Sequence, residues 1–187
     1  MDILSLLALS CALAMDSFAV SLCKSLSVSR LKIRHYLIVG LYFGGFQALM
    51  VLLGYFLGVG LSSFIDKYDH WIAFILLAFI GLKIIKESFE PAKCDSSEQF
   101  SPSVMLPLAV ATSIDALAVG VSFAFLKIHI ITSACIIGLI TFVLCAIGVK
   151  IGKQVGVKFS SKSEFIGGVV LVLIGCKILA THFFGWE

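Results

Sequence analysis

Charge is scarce in this chain. Only 13% of its 187 residues are Asp, Glu, Lys or Arg, roughly half the share carried by a soluble domain. That shortage excludes an ordinary water-facing surface around a buried core. Proline is rare too, with three residues in all, so long helices can run with few breaks. There is no C-x-x-C pair and no Cys/His cluster, which removes the usual zinc and dithiol sites. Cys11, Cys23, Cys135, Cys145 and Cys176 lie in apolar runs and read as small packing residues, and Cys94 alone lies in a polar stretch. No Walker A motif is present, because Gly148-Val149-Lys150-Ile151-Gly152-Lys153 has the wrong spacing. There is no H-E-x-x-H and no nucleophile–base set. Hence no enzyme, no bound cofactor and no nucleic-acid partner is expected. No loop has room for a nucleotide domain, so any transport must draw on an ion gradient or the membrane potential.

What the chain does have is apolar length. Hydrophobic residues make up 60% of it, the mean hydropathy is +1.10, and they cluster into runs of about 20, enough to cross a bilayer as a helix. Lipid offers the backbone no hydrogen bonds, so such runs must be helical. The period-2 alternation of a membrane strand is missing. Spans are expected at 3–23, 36–58, 70–87, 103–125, 128–149 and 165–185. The first is kept as a span and not a signal peptide, because Met1-Asp2 brings no basic residue to its start. Orientation follows from the basic residues between spans. Lys24, Arg30, Lys32, Arg34, Lys86, Lys93, Lys150, Lys153, Lys158 and Lys162 fall in the odd loops, and only Lys67 and Lys127 in the even ones. The odd loops are therefore expected in the cytoplasm and both termini on the far side.

The chain also repeats itself. Ala14-Met15-Asp16-Ser17-Phe18-Ala19-Val20 returns 99 residues later as Ser113-Ile114-Asp115-Ala116-Leu117-Ala118-Val119. At an offset of 94, Phe79-Ile80-Gly81-Leu82-Lys83-Ile84-Ile85 returns as Leu173-Ile174-Gly175-Cys176-Lys177-Ile178-Leu179. The same offset of 94 carries Gly44, Gly54 and Gly58 onto Gly138, Gly148 and Gly152. Two halves of three spans each must cross the membrane in opposite senses, a plan shared by many secondary transporters, with the substrate at the repeat interface. The expected fold is an all-α integral membrane protein, with six transmembrane helices in two inverted three-helix repeats. It is a single membrane domain over 1–187, made of repeats 1–87 and 103–187 and a cytoplasmic linker 88–102.

Apart from Glu87 at the very end of the third, Asp16 and Asp115 are the only acidic residues inside the six expected spans, and each lies near the middle of its helix. Placing an Asp there costs about 2.5–3.5 kcal/mol on insertion scales, so such a residue marks an ion or proton path. Ala12 and Ala19 flank Asp16 as Ala111 and Ala118 flank Asp115, and small residues let two helices approach. Two ionised carboxylates balance one divalent cation, and oxygen ligands favour magnesium, calcium or manganese. Bare, the pair would take up protons to relieve its repulsion, which makes protons the expected coupling ion. Thr112 lies one turn before Asp115. Met15 abuts Asp16 and offers a thioether. Ser17, Ser21, Ser113 and Ser122 offer oxygens wherever a helix is locally unwound. Gln47 and its counterpart Thr141 are neutral oxygens that either bind the ion or bridge helices. Lys83 and Lys177 are expected to snorkel to opposite interfaces, or else to act as internal counter-cations. The candidate metal ligands are thus Asp16, Asp115, Thr112, Gln47 and Met15. Carriers of another divalent cation or of a small organic solute such as an amino acid remain alternatives, as does a non-transporting scaffold.

The stretches Ala14–Ser21 and Ala111–Gly120 resemble the paired signatures of the MntP manganese efflux pumps. His70-Trp71-Ile72-Ala73-Phe74 and the C-terminal segment from Gly167-Gly168 through Thr181-His182-Phe183 are similar to that family as well. The resemblance covers essentially the whole chain. It implies a six-span exporter of manganese, its transported substrate, in a bacterial inner membrane, and its intramembrane aspartates carry over to Asp16 and Asp115. One departure is Val51, which stands where family members commonly show a proline.

Overall fold

The computed structural model describes residues 3–26, 32–62, 69–87, 89, 100–126, 128–155 and 158–184. Among these residues there are seven helices and no strand: α1 Ile3–Leu13, α2 Met15–Leu26, α3 Ile33–Ser62, α4 Asp69–Glu87, α5 Pro102–Phe125, α6 Ile130–Val155 and α7 Lys158–Phe184. Four segments are long and apolar enough to cross a membrane, namely Ile3–Leu26, Ile33–Gly60, Pro102–Phe125 and Ile130–Gly152. Phe165–Ile178 is a shorter apolar helix. Several helices run past their expected ends into polar sequence, α3 to Ser62 and α6 to Val155, because a backbone leaving lipid still gains by continuing its ladder. The linker expected over 88–102 lies mostly outside the described residues, as do Arg30, Lys67, Lys93, Cys94 and Lys127.

The first expected span is not one helix. It breaks at Ala14, between α1 and α2, although the Ala14 amide still donates to the Ser10 carbonyl at 3.1 Å and the Phe18 amide to the Ala14 carbonyl at 2.9 Å. Lys24, expected in a loop, lies in the last turn of α2 and is fully buried. Cys23 beside it is disulfide-bonded, to a partner outside the described residues, and so is not the free packing residue its apolar surroundings suggest. A reading of local apolar runs holds no information on which distant segment returns to a helix end. Cys11, Cys135, Cys145 and Cys176 are free.

Helices pack chiefly as α3 on α5, α3 on α6, α4 on α7 and α2 on α6. Glycines set the closest approaches. A Cβ on Gly44 would lie 2.6 Å from the Gly138 carbonyl, so α3 and α6 cross almost backbone to backbone. A Cβ on Gly54 would fall on the Leu117 carbonyl, and one on Gly58 would meet Val121 and Ala124, so α3 and α5 run side by side in the same sense. Gly148 faces Phe18 and Ser21, and Gly152 faces Leu22 and Ser25, which makes α2 and α6 parallel too. Gly81 meets Gly168 and Val172, whereas Gly175 meets Phe74 and Leu77, an antiparallel α4–α7 pair. Around this interior, Leu41, Phe56, Phe79, Ile114, Ile131 and Leu173 project outward, an apolar exterior suited to lipid.

Candidate cation site

Asp115 sits in mid-α5 and is only 6% exposed. The Lys83 ammonium of α4 donates to its Oδ1 at 3.0 Å. Snorkelling of Lys83 to the interface therefore does not occur in this structure. A buried carboxylate without a partner costs several kcal/mol, roughly 3–5 when one member of a pair is removed, and that outweighs the pull of the interface on a lysine within reach. Lys177, its sequence counterpart at an offset of 94, donates to the Ser5 hydroxyl at 2.9 Å.

Asp16 is placed differently. It lies in the first turn of α2, half-buried, just after the break at Ala14. The positive end of a helix favours an anion in that position. Met15 turns away from it, its Cγ packing where a Cβ on Gly167 of α7 would stand, at 2.9 Å. Thr112 donates to the Ala109 carbonyl of its own helix at 3.3 Å and is half-buried.

Gln47 reaches from α3 to the break. Its Nε2 donates to the Leu13 carbonyl at 3.1 Å, a side chain inserted into the helix ladder, which is a recognised cause of a kink. Its Oε1 is buried without a partner, as are the Ser17 and Thr141 hydroxyl oxygens. The Ser17 case has a physical explanation. Serines in this structure bond back to the carbonyl three or four residues earlier: Ser10 to Leu6, Ser21 to Ser17, Ser25 to Leu22, Ser113 to Ala109, Ser122 to Ala118 and Ser133 to His129. For Ser17 the equivalent acceptor is the Leu13 carbonyl at the end of α1, where the bond comes from the Gln47 amide and not from Ser17. Each such orphaned group costs about 1–3 kcal/mol.

Among the described residues no group of three or more His, Cys, Asp or Glu is placed to hold a metal ion. Charge and neutral oxygens are instead spread over α2, α3, α4, α5 and α6. Sequence reasoning weighed Lys83 chiefly as an interfacial lysine and missed its bond to Asp115. The available signal was a lysine at matched positions in two apolar runs. It also weighed Ser17 and Thr141 without seeing that both are buried and unsatisfied, because burial and hydrogen bonding depend on how neighbouring helices are turned.

The chain matches the family model described as "Putative manganese efflux pump" over residues 30–179. A relative from Campylobacter jejuni subsp. jejuni serotype O:23/36, named "Putative manganese efflux pump MntP", is 60% identical over 185 residues, which span 98% of this chain and 99% of the relative. One of the same name from Acetivibrio thermocellus is 49% identical over 97% of this chain and 92% of its own length. "Putative manganese efflux pump MntP 2" of Clostridium botulinum strain Hall is 47% identical over 97% of this chain and 96% of its own. No solved structure matches the chain.

Proposed function

The chain belongs to the MntP family of manganese efflux pumps, and from that premise we propose that it is a secondary transporter exporting manganese(II) from the cytoplasm in exchange for protons. The observation that carries this reading is the Asp115–Lys83 ion pair inside an apolar helical bundle. Charges at such depth are retained where ions pass. Asp16 and Asp115 supply the negative charge, and Gln47, Thr112 and Met15 are the remaining candidate ligands. Once the metal has left, protons from outside neutralise the carboxylates and let the empty carrier return.

The wider frame of the proposal is six spans in two inverted repeats, over 1–87 and 103–187, in a bacterial inner membrane with both termini periplasmic. The glycine contacts support it. Moving α1 and α2 positions by 99 and the others by 94 carries Gly54 against Leu117 onto Gly148 against Phe18. It carries Gly58 against Val121 and Ala124 onto Gly152 against Leu22 and Ser25, and Gly81 against Gly168 onto Gly175 against Phe74. An interface reproduced contact by contact is the behaviour of two halves related by a twofold axis in the membrane plane.

Transport into proteoliposomes tests the function, with an imposed pH gradient, a clamped potential and a panel of divalent metals. Manganese movement that follows the pH gradient, with protons moving the other way, is the expected result. Asp16→Asn and Asp115→Asn are each expected to lower the rate more than a hundredfold. Transport indifferent to the pH gradient would remove proton exchange. Preference for another metal or an amino acid over manganese would remove the substrate.

A further inference from the structure

The three orphaned oxygens lie at one level of the bundle. Gln47 is tied to the Leu13 carbonyl, one turn before Ser17 on the α1–α2 segment. On α6, Cys145 meets the Ser21 side chain. Because α2 and α6 run parallel, one turn back along both helices brings Thr141 beside Ser17. From the other side, α3 meets α6 where Gly44 approaches Gly138 and the Phe142 amide, so Gln47 and Thr141 also face one another across that crossing. All three side chains are fully buried, and Ser17 Oγ, Gln47 Oε1 and Thr141 Oγ1 are the atoms without partners. The Gln47 amide cannot turn over to satisfy its oxygen, since its nitrogen is needed at Leu13.

The break joins two helix ends, and the positive end of α2 is met by the Asp16 carboxylate next to Ser17. The C-terminal end of α1 stops at Leu13, and a helix C-terminus carries partial negative charge. Hydroxyl and amide oxygens gathered at the broken end of a membrane helix are the surroundings in which transporters coordinate cations. An anion would meet the Asp16 carboxylate next to Ser17, and an apolar ligand would leave the oxygens unsatisfied. We infer that Ser17, Gln47 and Thr141 form an uncharged oxygen seat for the transported divalent cation, beside the helix break and in addition to the two aspartates. This rests on the export reading above and extends it. The aspartates supply charge, and the seat replaces part of the water shell, so it acts on affinity and on choice among hard cations.

Full-length protein in proteoliposomes tests the seat through the manganese concentration giving half-maximal transport. Ser17→Ala and Thr141→Val are each expected to raise it about tenfold, and the pair together about a hundredfold. Thr141→Ser, which keeps the oxygen, is expected to reverse the shift of Thr141→Val. Ser10→Ala removes a buried hydroxyl already bonded to Leu6 and serves as the control with no shift. Should Thr141→Val accumulate poorly, the comparison of Thr141→Ser with Ser17→Ala carries the same information. A folded double variant with wild-type half-saturation would overturn the seat, the oxygens then being the home of buried water. A change confined to sodium or potassium dependence would equally overturn it, assigning the oxygens to a co-moving alkali cation. Wild-type protein that moves no manganese at all would instead sink the export reading, so the two failures are told apart.

Discussion

α5 runs unbroken through Asp115, whereas the matching segment around Asp16 splits at Ala14 into α1 and α2. The two stretches match in sequence, yet their carboxylates are placed differently. Asp115 is buried against a lysine ammonium. Asp16 is half-buried at the start of a helix, where backbone dipoles favour it. The residues that decide this lie on neither segment. Gln47 is long enough to reach the Leu13 carbonyl. Its sequence counterpart at an offset of 94 is Thr141, two bonds shorter, and Thr112, the counterpart of Leu13, bonds by its own hydroxyl back to Ala109. The matched segments thus differ where Gln47 bonds to Leu13 and its shorter sequence counterpart Thr141 has an unpartnered hydroxyl. The lesson is that equal motifs do not imply equal roles for the two aspartates.

The largest effect that would test this difference is on stability. Lys83→Met leaves the Asp115 charge buried and alone, an expected loss of about 3–5 kcal/mol. It should be read as a lower melting temperature in detergent. Adding Asp115→Asn should restore most of the folded protein but not transport. Asp16→Asn should leave the melting temperature much closer to wild type, and equal losses in the two aspartate variants would break the comparison.

Next come the matched glycines. A methyl group on Gly54 runs into the Leu117 carbonyl, which is backbone and cannot swing aside. On Gly148 it meets Phe18 Cδ2 at 3.0 Å and the Phe18 carbonyl at 3.2 Å, a contact that small shifts can absorb. Gly54→Ala should therefore destabilise by about 1–3 kcal/mol or more, and Gly148→Ala by clearly less. The reverse order in thermal unfolding would show that the α2 side is the rigid one.

The smallest effect concerns the brace. Gln47→Leu removes the amide that holds Leu13 but frees that carbonyl for Ser17, so one bond is exchanged for another. A net change of about 1 kcal/mol or less is expected. The segment should straighten, visible as closer spacing between spin labels at positions 7 and 20 falling into the ladder of a continuous helix. Unchanged spacing would mean that the break is intrinsic to the sequence around Ala14.

Much of this was legible beforehand. Helical character, the main apolar runs and the glycine correspondences follow from composition and spacing, because lipid leaves the backbone few choices. The aspartates stood out as the rare charges. What could not be read was whatever depends on a second helix at a particular rotation. The bond from Gln47 to Leu13, the partner of Asp115 and the disulfide at Cys23 all belong to that kind. The break at Ala14 is the clearest instance, since no glycine or proline marks it and its cause arrives from 34 residues away.

The lysine beside Asp115 has a consequence for the concentration at which such a carrier works. If the cation binds at that carboxylate, as proposed, it finds the place taken by an ammonium on the protein itself and competes with a rival whose local concentration is fixed by its tether. The apparent dissociation constant is the intrinsic one divided by the fraction of time the rival is away. If the ammonium withdraws about 1% of the time, half-saturation rises about a hundredfold. On that proposal a carrier restrained in this way would idle while its ion is scarce and engage when the ion accumulates, its threshold set by one ion pair 3.0 Å long.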